Sequence, residues 1–280
     1  MAEITTKLIM DLRARTNAGM MDCKRALTET NGDMDEAIKL LRLKGQAIQV
    51  KRAAKEANQG LVATAANENA SAVTLVEINC ETDFVAKTEN FQNFVNSVAV
   101  AALHDVANLT DNLKDRLSDL VSSTGENLKI GRAVCFELAG TGKIGAYIHM
   151  GGKVGVLVEV TCGQEATLAH ESFTTLVHDL SLHIAAAAPR YLNACEVEAE
   201  TVASEKALYR QQMEGENKPE NVIEKIIEGK IRKFYSETCL VDQPFVKEPK
   251  QSIKQLVEAT AKSIGDTITI KRFARFQVGA

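Results

Sequence analysis

The chain has 280 residues, 45% of them hydrophobic, and a formal charge of −4. That is enough chain for more than one domain and for a core that needs no disulfide staples. It leaves no global basic field for nucleic acid, and no apolar run approaches the ~18–20 residues of a membrane span.

The N-terminal segment carries charges within its apolar pattern, so it is not expected to be a signal peptide. Residues 1–57 read as all-helical: a three-helix domain and a linker helix. Thr5 or Thr6 caps a helix that turns Leu8, Ile9 and Leu12 inward, and Thr16-Asn-Ala-Gly19 breaks it. The second helix carries Met20, Met21, Cys23, Lys24 and Leu27 and stops at Asn31-Gly32. Asp33 caps the third, with Glu36 at the capping-box position and Gly45 as the predicted stop. Such a bundle fits a helix-turn-helix, a ubiquitin-associated type of domain or a plain scaffold. The acids mixed among its basic residues argue against DNA. Met20 and Met21 point about 100° apart on a helix, so a bundle this small does not bury both fully. One reads as a soft surface contact.

Residues 58–140 read hairpin, helix, helix, strand. The strands are expected near 60–67, 72–80 and 127–138, and the helices near 87–106 and 110–122. The pattern then recurs over 141–280. Leu75-Val-Glu77 returns as Leu157-Val-Glu159, 82 positions on (75 to 157), with Gly60/Gly142, Cys80/Cys162, Phe91/Phe173 and Val95/Val177 in step. The last strand returns 140 positions on (125 to 265), through Gly125/Gly265, Ile130/Ile270, Arg132/Arg272 and Phe136/Phe276. The second copy therefore holds an insertion. Val202, Leu208 and Met213, then Val222, Ile226, Ile227, Ile231 and Phe234, recur at helical spacing, with a turn at Asn217-Lys-Pro219. The expected fold class is α+β: a small N-terminal helical bundle, then two repeated subdomains, each with a three-stranded antiparallel sheet and helices. An antiparallel coiled-coil insertion, 196–236, interrupts the second.

At the first strand-to-helix corner stands Thr82-Asp-Phe-Val85, where the second copy has Gln164-Glu-Ala-Thr167. The flanking scaffold is kept while the corner changes. A phenylalanine needed to pack the shared fold would not be alanine in the second copy. Phe84 thus reads as an exposed anchor beside a carboxylate, displayed for a partner, against the plainer reading of a satellite core residue.

Other candidates are weaker. Gly140-Thr-Gly-Lys-Ile-Gly145 matches G-x-G-x-x-G, but a strand, Ala146–Met150, follows where a dinucleotide site needs a helix. No phosphate-binding loop of the G-x-x-x-x-G-K-[ST] type occurs, so no bound nucleotide is expected. The six cysteines form no C-x-x-C pair and read as buried reduced thiols, not a disulfide framework or zinc site. His178 and His183 are five apart and point to different sides of a helix, so no metal is expected. A Cys–His nucleophile pair around His149 is the enzymatic alternative, opposed by thiols in apolar patterns.

Two stretches, Thr16-Asn-Ala-Gly-Met-Met-Asp-Cys-Lys24 and Asn79-Cys-Glu-Thr-Asp-Phe-Val-Ala86, with Gln243-Pro-Phe-Val246 after the insertion, resemble the bacterial elongation factor Ts family. The resemblance covers essentially the whole chain. It implies a cytoplasmic translation factor, not an enzyme, that uses no cofactor and contacts neither nucleic acid nor membrane. It implies guanine-nucleotide exchange on elongation factor Tu: binding of the GDP form, release of GDP by disturbance of the Mg²⁺ and phosphate site, and displacement by GTP. Thr82, Asp83, Phe84 and Val85 would approach that magnesium site. Arg13, Met20 and Met21 match an N-terminal contact surface, and His149 matches a histidine facing the GTPase. On sequence alone His149 reads equally as a solvated turn residue. Gly125 matches an Ile-Gly-Glu-Asn contact in which Thr124 stands for the isoleucine. Some members continue into a C-terminal helix, a contact expected to be absent after Gln277-Val-Gly-Ala280. An interaction module that binds elongation factor Tu without driving exchange is the runner-up.

Overall fold

The computed structural model describes residues 4–16, 18–52, 54–213 and 219–280. Asn17 of the first expected break, and Asn217 and Lys218 of the expected insertion turn, lie outside them. The chain divides into two compact units. The first comprises Met1–Glu137, Ile148–Gly155 and Phe276–Ala280; the second comprises Leu138–Tyr147 and Val156–Arg275. The protein combines helices with small antiparallel three-stranded sheets.

In the first unit, α1 (Thr6–Thr16), α2 (Met20–Glu29) and α3 (Met34–Arg52) close around Leu12, Cys23, Leu27, Ala37 and Leu41. Asp33 caps α3: the Glu36 N–H donates to its Oδ1 at 2.9 Å. The Asp33 N–H already donates to the Thr30 carbonyl, and the Glu36 side chain turns outward to Lys39 at 2.7 Å. Gly45 does not end α3, which runs on to Arg52. The reason is packing. A Cβ at position 45 would overlap Ser122 Oγ and the Ser118 carbonyl, so this glycine lets α3 cross close to α7 (Lys114–Thr124). Arg42 secures the crossing from outside through Asp115 at 3.3 Å and Asp119 at 3.2 Å. At the same crossing Ser118 Oγ is buried with no partner among the described residues. Ser118→Ala removes an unsatisfied hydroxyl, and thermal melting should show stability kept or raised by up to ~1 kcal/mol.

Strands β1 (Gln59–Ala66), β2 (Ala72–Cys80) and β3 (Lys129–Glu137) form an antiparallel sheet in that order. Central β2 is buried from Val73 to Ile78. One turn of helix, α4 (Asp83–Ala86), follows β2, and then α5 (Glu89–Ala102) buries Phe91, Phe94, Val95, Val98 and Ala99. The helix expected near 110–122 is two pieces, one-turn α6 (Leu109–Asn112) and α7. The Asp105 carboxylate accepts from the Ala107 and Asn108 N–H groups and from the Asn108 and Asn112 side chains. That local bonding holds the approach to α6 out of a continuous helix.

The second sheet places β5 (Val154–Cys162) between β4 (Gly142–His149) and β8 (Ile268–Gln277). In the second unit α8 (Glu171–Ala187) buries Phe173, Leu176, Leu180 and Ile184. Helices α9 (Ala199–Gln211) and α10 (Glu220–Thr238) pack through Val202, Tyr209, Met213, Ile227 and Ile231. A ribbon of β6 (Pro244–Phe245) and β7 (Glu248–Ser252) then leads into α11 (Ile253–Ile264), which opens on a Ser252–Gln255 capping box.

Residues 82 and 140 positions apart make parallel contacts in the two sheets. Buried Glu77 pairs with Arg132 at 2.7 Å, and buried Glu159 pairs with Arg272 at 2.6 Å. A Cβ on Gly60 would overlap the Ile78 carbonyl, and one on Gly142 the Val160 carbonyl. Gly125 and Gly265 end α7 and α11 in the left-handed region, at φ 69° and 77°.

The Gln243-Pro-Phe-Val246 stretch has a structural purpose. Gln243 is buried, and its Nε2 donates to the Glu237 carbonyl at 2.9 Å, which ties the end of α10. Its Oε1 faces His183 Nε2 at 2.9 Å, and the Val246 N–H donates to His183 Nδ1 at 3.3 Å. Nδ1 is therefore an acceptor and the ring is neutral, with its proton on Nε2. Burial pushes the His183 pKa below the ordinary 6.5, outweighing the opposing bond to Gln243. The unfolded chain then binds more protons just below pH 6.5, so stability is full above that pH and falls as pH drops toward the folded-state pKa. Melting temperature should decline through this window in the wild type and decline less in His183→Gln.

Candidate functional site

The corner after β2 is built from its ends inward. The Glu126 carboxylate, arriving just beyond α7, accepts from the Glu81 N–H at 3.1 Å, the Thr82 N–H at 3.1 Å and Thr82 Oγ1 at 2.6 Å. Thr82 Oγ1 in turn accepts from the Val85 N–H at 3.3 Å and so caps α4. Cys80 Sγ reaches the Thr82 carbonyl at 3.1 Å. Glu81 is held from the other side by Arg52 at 2.7 Å and the Asn127 N–H at 2.6 Å. The Asn127 bond, then Arg52, keeps its carboxyl below the usual range.

Within α4, Ala86 is buried and Val85 packs on the core of the first unit. Residues two apart on a helix point about 200° from each other. Burying Ala86 therefore turns Phe84 outward, and it is 79% exposed. Asp83 beside it bonds Lys87 at 2.6 Å, which holds its carboxyl below the usual carboxylate range. The second corner keeps the staple: Asp266 accepts from the Gln164 N–H at 3.0 Å and Thr167 Oγ1 at 2.6 Å. There Ala166 occupies the exposed place. The scaffold does not need the phenylalanine ring.

A depression of about 760 Å³ opens beside Phe84, lined also by Leu61, Gln92, Met150, Gly151 and Lys153. Met150, Gly151 and Lys153 of this lining are the tip of the β4–β5 hairpin, which belongs to the first unit. Lys153 Nζ donates to Gln59 Oε1 at 3.0 Å and the Gly60 carbonyl at 3.2 Å. The Val62 N–H of edge strand β1 donates to the Gly152 carbonyl at 2.8 Å, so the tip covers part of that edge.

The expected site residues fall into three places. Thr82, Asp83, Phe84 and Val85 share the corner, and Thr124 and Gly125 reach it through their neighbour Glu126. His149 is exposed at the hairpin tip next to Met150. Arg13, Met20 and Met21 are exposed on α1 and α2, and none of them lines the depression. Both methionines of the pair face solvent, at 46% and 69% exposure, in line with the expectation that they are not both buried: Cys23, Ala26 and Leu27 fill the buried face of α2.

Glu126, Lys153 and Met150 were not singled out by sequence reasoning. Glu126 had a signal, since an acid follows the glycine at both Gly125-Glu126 and Gly265-Asp266. Burial pushes the Cys80 thiol up to about 12 and raises Cys23, Cys162 and Cys239 above their ordinary value, which opposes thiolate chemistry at neutral pH. The Gly140–Gly145 glycines lead into β4, not into a helix.

Comparison with known proteins places the chain. The family model described as elongation factor TS matches residues 81–280. Elongation factor Ts of Trichlorobacter lovleyi is 43% identical over 289 aligned residues, covering 99% of this chain and 93% of that protein. Elongation factor Ts of Nitratiruptor sp. is 42% identical, with 99% and 93% covered. That of Nitratidesulfovibrio vulgaris is 38% identical, with 99% and 96% covered.

Proposed function

Because the chain belongs to the elongation factor Ts family, and is thus a translation elongation factor, we propose that it is a guanine-nucleotide exchange factor for elongation factor Tu. It acts in the cytoplasm and performs no covalent chemistry. The observation that carries this reading is a bare aromatic, Phe84, on a corner clamped by Glu126. A rigid mount matters because a wedge acts only if its base does not give. In this reading Thr82–Val85 approaches the magnesium site of the GTPase and the Phe84 ring pushes between side chains there. Bound GDP depends on Mg²⁺ and on backbone N–H groups around its phosphates. A displacement there weakens nucleotide far more than it weakens the exchange factor. Coupling is reciprocal, so GDP or GTP rebinding expels the factor.

The remaining contacts belong to the same proposal. Arg13, Met20 and Met21 meet the GTPase from a ubiquitin-associated-like domain, residues 1–57. Gly125, Thr124 and His149 meet it from core subdomains 58–140 and 141–280, which we read as two copies of one unit. Helices α9 and α10 are the antiparallel coiled-coil insertion of the second copy. The test is size-exclusion chromatography of equimolar protein and nucleotide-free elongation factor Tu. A one-to-one complex that dissolves on adding GDP with Mg²⁺ is expected. A complex indifferent to GDP would instead favour an interaction module that does not drive exchange.

A further inference from the structure

We propose that Met150 is a second apolar anchor for the GTPase, paired with Phe84 at the same depression; this rests on the exchange-factor reading above. Two independent observations lead to it. Met150 is 70% exposed and lines the same depression that Phe84 lines. It also stands in the left-handed backbone region at φ 50°, followed by Gly151 at 62° and Gly152 at 95°. Glycine adopts that conformation freely and a side-chain-bearing residue does so at a cost. The turn at the β4–β5 tip thus uses glycine at two of three left-handed positions and methionine at the first. A Cβ at Gly152 would press on Leu61, whereas Gly151 has open space around it, so space alone does not dictate where the side chain is placed. A long, soft, exposed thioether on a strained turn serves no core, and strain of this kind collects where a side chain is displayed.

The occupant is a segment of the GTPase that presents an apolar side chain to both prongs. The lining between them is charge-balanced, Glu81 and Asp83 against Lys87 and Lys153, so the apolar prongs and not net charge select that segment. Lys153 is tied by two neutral oxygens, Gln59 Oε1 and the Gly60 carbonyl, with no carboxylate at salt-bridge distance among the described contacts. Lys87 balances Asp83. Phe84 comes from the first hairpin's corner and Met150 from the second hairpin's tip, so each fixes the partner from one side and together they set its angle.

The test compares wild type, Met150→Gly, Met150→Leu, Phe84→Ala and the Phe84→Ala, Met150→Gly double variant for stimulated release of labelled GDP from elongation factor Tu, with melting temperature read on each. Met150→Gly relieves the turn, so its melting temperature should be equal to or above wild type while stimulated release falls about tenfold. Met150→Leu should recover most of the release. In Phe84→Ala the further loss from Met150→Gly should be smaller than in wild type, since the two anchors hold one segment. Full release by Met150→Gly, with wild type active, would overturn the anchor and leave the exchange function standing. A fall in release matched by a fall in melting temperature would make Met150 a structural turn residue and also overturn it. If wild type itself does not accelerate release, the exchange-factor reading fails and this inference with it.

Discussion

Phe84→Ala should lower stimulated GDP release from elongation factor Tu by about 10- to 100-fold, or about 1.4–2.8 kcal/mol, while leaving the fold alone. The ring is 79% exposed, so its removal should change stability by no more than about 0.5 kcal/mol. The corner after β5 has a like carboxylate staple, Asp266, with Ala166 in the exposed place. Under the proposed mechanism complex formation should weaken less than release does, because there the wedge acts on the nucleotide and the other proposed contacts carry much of the binding. Stopped-flow release and a melting curve on the same preparation separate the two effects. A large drop in melting temperature with unchanged release would return Phe84 to the core.

The second large effect concerns stability and has an unusual sign. Glycine to alanine inside a helix ordinarily gains about 1 kcal/mol. At Gly45 the new Cβ meets the Ser118 carbonyl, which is backbone and does not rotate away, as well as Ser122 Oγ. Overpacking of this kind costs about 1–3 kcal/mol, sometimes more, and separating the helices also loosens the Arg42 contacts to Asp115 and Asp119. Gly45→Ala should therefore lose about 2 kcal/mol net. Gly229, in the middle of α10, has open space around a built Cβ. The same substitution there should gain up to about 1 kcal/mol. Calorimetry of the two variants beside wild type should show transitions moving in opposite directions. Equal shifts of one sign would refute the packing account of Gly45.

What the sequence made legible was local. Strand alternation and helical spacing placed β1, β2, β3 and α5 close to where they lie, because each signal sits inside the element it predicts. Phe84 was legible for a different reason: 82 positions on, between matching flanks, the sequence carries Ala166, which weighs against a packing explanation. The losses were long-range. Gly45 looks like a helix stop because stop signals are read locally, whereas its purpose is set by residues more than 70 positions on, Ser118 and Ser122. The Gln243-Pro-Phe-Val246 stretch was recognisable without its reason, which is a histidine buried 60 positions earlier. Glu77 and Glu159 recur inside apolar strands, a clue that both are buried ion pairs. Their arginine partners recur at the other offset, so the pairing shows only when both offsets are combined. Met150 had no sequence signal, since its backbone conformation is what sets it apart from any exposed methionine.

The central claim is that this chain drives nucleotide exchange and does not merely bind. Its most direct test is the rate at which elongation factor Tu loses a fluorescent GDP analogue into excess unlabelled GDP, with and without the wild-type protein. Acceleration that rises with protein concentration and saturates is the predicted result. An unchanged release rate, under conditions where a complex of the two proteins forms, would contradict it.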